Sequence, residues 1–132
     1  MPNQQSETML RELNRKAKEY GEKATLLSNL LEEAEAFLNE LPSKMHVSVG
    51  EGDNQLTFVR WESSDWRLWY GDDQEGSLVT DAPVELKAKA ARMLPQLVDV
   101  LFASVSERLS VVNEGLDALK QVPFLRFGKE DE

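Results

Sequence analysis

The chain has 132 residues with no cysteine and one histidine, and 24 acidic against 15 basic residues give a net charge of −9. This length favours a single domain with a modest core. The lack of cysteine excludes disulfides and thiolate metal sites and is typical of a cytoplasmic protein, and no apolar run is long enough for a signal peptide or a membrane span.

A long apolar heptad occupies the first third of the chain. Steps of three and four residues from Leu10 to Leu41 meet an apolar residue every time, which predicts a helix that packs along other helices. Ser6 is the predicted N-cap, and Pro42 should end the helix near Glu40. The predicted seam residues of this helix are Leu10, Leu13, Tyr20, Leu27, Leu31 and Leu38.

After Pro42 the apolar period changes to two residues, which is typical of strands. Strands are predicted over 45–49, 56–61 and 66–70, and the tight turns between them indicate a three-stranded antiparallel meander. Residues 77–80 can add a short fourth strand. The face predicted to meet the helices carries Val47, Val49, Leu56, Phe58, Trp66, Leu68 and Tyr70. The opposite face carries His46, Ser48, Thr57, Val59, Trp61, Arg67 and Trp69.

A second heptad follows the sheet. Asp81 is the predicted N-cap, with Pro83 in the first turn of the helix. Pro95 should either kink one long helix or split it into segments near 82–93 and 95–120. The predicted seam residues of this helix are Phe102, Leu109, Val112 and Leu116.

These elements predict one α+β domain over residues 1–132, with 1–5 and 129–132 disordered. Helices of roughly 50 Å overhang strands of roughly 20 Å, so a wide apolar stripe stays uncovered in one copy. We therefore expect a homodimer, or a higher homo-oligomer, in which the helices pair into a bundle. The alternative is a monomer in which Gly21 or Pro95 breaks a helix into segments that fold back on the sheet.

The sequence indicates no catalytic, cofactor or metal site. His46 is a lone strand histidine, and no nucleophile elbow or phosphate-binding loop occurs. The heptad points Glu32, Glu33 and Glu35 away from the seam. The segment 72–76 lacks the ligand spacing of a calcium loop, so we expect a solvated turn there.

The excess negative charge lies in one segment, since residues 32–85 hold 13 acids and three bases, for −10. This charge disfavours direct nucleic-acid binding and would steer a basic partner. Trp61, Trp69, Arg67 and Val59 on the outer face have the composition of a protein-binding hot spot. Alternatively, the two tryptophans are covered by the subunit partner or by the tail at 124–127, which either docks or is a linear motif.

The sequence therefore predicts a non-enzymatic protein–protein interaction module that binds another protein. An adaptor, an inhibitor or a chaperone-like protein would each fit this profile. The alternative is an acidic DNA mimic that inhibits a nucleic-acid-binding protein, of the kind carried by phages or mobile elements. That alternative requires carboxylates gathered on one surface.

Overall fold

The computed structural model describes residues 4–62 and 65–125. In it, the segment after Pro42 in which apolar and polar residues alternate folds into an antiparallel sheet. The strands are β1 (Val47–Glu51), β2 (Asn54–Glu62), β3 (Asp65–Gly71) and β4 (Gly76–Leu78), in the order β1-β2-β3-β4. The predicted meander of three strands was one strand short, because Leu78 of β4 pairs with Trp69 of β3 after a short loop. Gly71 allows that loop, since its φ of +129° is a conformation that other residues rarely adopt.

Two helices of 36 residues flank the sheet in the chain, α1 (Gln4–Asn39) and α2 (Val84–Leu119). α1 runs without a break through Gly21, and α2 runs through Pro95. The predicted split of the second helix is therefore wrong, and so is the helix break at Gly21 or Pro95 on which the monomer alternative relied. Pro95 is tolerated because its side is exposed and it removes only one backbone hydrogen bond.

The predicted helix caps were wrong at both amino termini. α1 already includes Gln4, so Ser6 lies inside the helix. Asp81 ends a 3-10 turn (Val79–Asp81) that places Val79 in the core, and Pro83 is the N-cap of α2. Disorder was expected for residues 1–5 and 129–132. This was wrong for Gln4 and Gln5, which belong to α1, whereas residues 1–3 and 129–132 lie outside the described residues.

The core forms between one face of the sheet and parts of both helices. The predicted inner face is confirmed, because all its members are buried except Trp66, which is half-buried with its ring 5.3 Å from that of Phe58. The helices contribute the buried side chains Leu31, Leu38, Ala90, Leu97 and Leu101. Only the carboxyl-terminal half of α1 and the amino-terminal half of α2 therefore pack on the sheet.

Within residues 4–62 and 65–125, neither helix contains a stretch apolar and long enough to traverse a lipid bilayer.

Candidate protein-interaction site

The outer face of the sheet presents a stacked pair of indole rings. Trp61 and Trp69 have ring centroids 5.5 Å apart and an angle of 25° between their planes. The Trp69 ring nitrogen donates a hydrogen bond of 2.9 Å to the backbone oxygen of Asp72, which fixes this ring. Trp61 is 44% exposed. The Trp69 ring is therefore fixed to the fold by its hydrogen bond, and the Trp61 ring stacks on Trp69 and is open to solvent.

The remaining members of this face differ in accessibility. Val59 is half-buried, whereas His46 is exposed ahead of β1. The hydroxyls of Ser48 and Thr57 share a hydrogen bond of 2.8 Å, so they satisfy each other. The accessible apolar part of the face is consequently centred on the tryptophan pair.

Arg67 belongs to the same face by alternation, but its guanidinium bonds within the chain. Its Nε lies 3.2 Å from a carboxylate oxygen of Glu35, and its Nη2 donates to the Thr80 hydroxyl at 2.7 Å. Glu35 was expected to point away from the packed side, and this was wrong, because it is 8% exposed. Arg67 therefore ties the sheet to α1 and carries little unpaired charge toward a partner.

Side chains of α1 complete the edge of β3 beyond the short β4. The other carboxylate oxygen of Glu35 accepts a 2.7 Å hydrogen bond from the Leu68 backbone N–H. Asn39 binds both backbone groups of Trp66: its amide oxygen accepts from the N–H at 3.1 Å, and its amide nitrogen donates to the carbonyl. These are the bonds that a neighbouring strand would otherwise make. Sequence reasoning missed this contact, because the partners lie 27 and 33 residues apart.

The predicted helix seams fall into two groups. Leu31 and Leu38 are buried in the core, and Leu27 packs partly against it. The others are exposed on two segments that we call the α1 arm (residues 4–23) and the α2 arm (residues 102–119). The exposed seam residues are Leu10, Leu13, Tyr20, Phe102, Leu109, Val112 and Leu116. Neither arm covers the apolar stripe of the other within one chain.

The described part of the tail does not cover the tryptophan pair. Phe124 is 83% exposed, and Leu125 is exposed as well. Phe127 lies outside the described residues, so a role for it in docking or as a linear motif stays a prediction.

The loop between β3 and β4 uses its carboxylate for its own structure. Asp72 accepts hydrogen bonds from the backbone N–H groups of Glu75 and Gln74, at 2.6 and 2.9 Å, and these bonds hold the pKa of its carboxyl below the ordinary value. Within residues 4–62 and 65–125, no three His, Asp or Glu side chains are grouped so that they could hold a metal ion. The loop is an Asp-stabilised turn.

No family model, curated protein or solved structure matches this chain.

Proposed function

We propose that this protein is a non-enzymatic protein–protein interaction module, of the adaptor, inhibitor or chaperone-like kind, that acts as a cytoplasmic homodimer. The observation that carries the proposal is the separation of its exposed apolar surfaces. One surface is the pair of helical arms, and the other is the tryptophan pair on the far side of the sheet. Two separate apolar surfaces suit two different contacts.

The arms support self-association. Large apolar side chains repeat along both arms at heptad spacing and are exposed in a single copy. A helical stripe of this kind is stabilised when it packs into a bundle. Pairing of two copies into a four-helix bundle would remove these stripes from water and leave the outer sheet face accessible.

The outer sheet face supports recognition of another protein. Trp61 and Trp69 offer a large rigid apolar surface, and tryptophan is enriched among residues that dominate binding energy. Residues 47–81 contain eight acids and two bases, for a net charge of −6. A partner with a basic rim around an apolar anchor would therefore complement this face.

The distribution of the acids favours this module over the DNA mimic. Acidic residues lie in or directly beside all three connections of the sheet, at positions 51 and 53, at 62 and 65, and at 72, 73 and 75. In an antiparallel meander the first and third connections lie at one end and the second lies at the other. Carboxylates are thus divided between opposite ends of the sheet, whereas a phosphate mimic requires them on one surface.

Affinity capture from the native cell tests the recognition face. The double variant Trp61→Ala/Trp69→Ala should lose a partner that the wild type retains, because it removes both rings. Phe37→Ala is the control, since it removes an exposed aromatic ring of α1 that lies outside the tryptophan pair, the arms and the tail. Retention of every wild-type partner by the double variant would show that this face is not the binding site.

Light scattering tests the homodimer separately. The expected mass is twice the 15.0 kDa of one chain. A mass of 15.0 kDa at micromolar concentration would contradict self-association and leave the recognition face to be judged by capture alone.

A further inference from the structure

We infer that the occupant of each apolar arm is the opposite arm of a second copy, so that the α1 arm of one chain packs against the α2 arm of its partner. This inference rests on the proposed homodimer and specifies its interface. The structure leaves two stripes uncovered in each chain. A two-fold dimer that pairs α1 with α2 covers all four stripes at once, because each contact occurs twice.

The exposed apolar area of the arms matches what a stable dimer requires. Ten large apolar side chains of the arms, each between 37% and 74% exposed, lie on or beside the heptad stripes. These are Met9, Leu10, Leu13, Tyr20, Phe102, Val105, Leu109, Val112, Leu116 and Leu119. At roughly 100 Å² each they expose on the order of 1,000 Å² per chain, above the roughly 800 Å² per partner of a standard interface.

The side-chain sizes of the two stripes complement each other. The α1 stripe contains Ala17, with Gly21 beside it, and continues to Ala24. The α2 stripe has large or branched side chains at every position, and it begins with Phe102, which is 74% exposed. Two α1 stripes would leave voids at the small residues, and two α2 stripes would crowd. Large residues facing small ones pack more densely.

The charges of the arms are also opposite in sign. The α1 arm has five bases and four acids, for +1, and the α2 arm has one base and three acids, for −2. Pairing of unlike arms brings these charges together, whereas pairing of two α2 arms opposes negative charges. Charges that flank a helical seam contribute mainly to the choice of partner and register.

Disulfide trapping can identify the arms in contact, because the natural chain has no cysteine to interfere. Single cysteines replace Leu10, Leu13 or Tyr20 in one tagged chain, and Phe102, Leu109 or Leu116 in a chain with another tag. The two chains are mixed, allowed to exchange and oxidised mildly. Because each chain has one thiol, every cross-linked product joins two chains. We expect products between unlike arms to exceed those between like arms.

A charge substitution measures the contribution of the interface. Phe102→Glu should weaken dimerisation by at least about tenfold, because it places a carboxylate in an apolar seam. Ala103→Glu is the matched control, since it adds the same charge at an exposed neighbour outside the stripe. Circular dichroism checks that both variants fold. Equal dimerisation of the two variants would overturn the inference.

The outcomes separate this inference from the proposed function. A dimer with predominant cross-links between unlike arms supports both. A dimer that cross-links only between like arms overturns the pairing and leaves the homodimer intact. A monomer of 15.0 kDa overturns the pairing and the homodimer, and leaves recognition of another protein to the capture experiment.

Discussion

We call the sheet, with residues 24–39 of α1 and 84–101 of α2, the packed half. The packed half and the arms share the same two helices and differ in what covers the apolar side chains of those helices. In the packed half, Leu97 is fully buried, whereas twelve residues later on the same helix Leu109 is 57% exposed. Both are leucines of α2, but twelve residues make about three and one third turns, so the two side chains lie on different sides of the helix. Leu109 belongs to the predicted seam, and tertiary contacts decide which apolar side of the helix is covered within one chain.

Truncation of these two leucines gives the largest expected effects and tests the contrast directly. Leu97→Ala should lower the free energy of unfolding by about 4 kcal/mol at every protein concentration, because it leaves a cavity in the core. Leu109→Ala should cost little where the protein is monomeric and more as concentration rises. Chemical denaturation at two concentrations measures both. An equal, concentration-independent loss for both leucines would contradict the division into packed half and arms.

The contact between α1 and β3 marks the end of the packed half, and its loss should have the next largest effect. Glu35→Ala should lower the free energy of unfolding by about 3 kcal/mol, because it leaves the Nε of Arg67 and the Leu68 N–H without their acceptor. Glu33→Ala, an exposed glutamate on the same helix, is the control and should change stability by less than about 0.5 kcal/mol. A similar result for both variants in thermal unfolding would show that the buried carboxylate does not hold the helix.

The smallest expected effect is a pH dependence on the surface of the packed half. The backbone N–H groups of Glu75 and Gln74 lower the pKa of Asp72 in the folded state. Its stabilising contribution is therefore present above the unfolded pKa of about 4 and is lost as the pH falls through the lower folded pKa. Asp72→Asn keeps an acceptor oxygen but cannot titrate, so its stability should fall less on acidification below pH about 4. Identical acid unfolding curves for the two proteins would refute this.

The local pattern of the sequence was enough to predict the inner face of the sheet. Alternation along β2 assigned Phe58 to the core and Trp61 to the outer face, and the structure confirms both placements. The heptad likewise indicated the side of each helix that is apolar. These features depend on a period of two or 3.6 residues, which is visible within a short window.

Features that depend on distant partners were not predictable. The heptad position of Glu35 indicates an exposed glutamate, and only the approach of β3 explains its burial. Arg67 was assigned to a binding site because its strand position was known and its partner was not. The sequence left open whether Pro95 divides the second helix or lies within it. In the structure α2 is continuous through Pro95, and the nearby Leu97 and Leu101 pack in the core. In each case a contact remote in sequence determined the outcome.

The amide of Asn39 has a consequence for the behaviour of the protein at high concentration. By occupying the backbone groups of Trp66, it removes hydrogen-bonding positions from the exposed margin of β3. An uncovered margin of this kind is a template on which strands of other molecules can add, which leads to aggregation and domain swapping. If α1 detached from the sheet, the unpaired edge of β3 and the core would be exposed at the same time. The attachment of this one helix therefore also protects the protein from aggregation by strand addition.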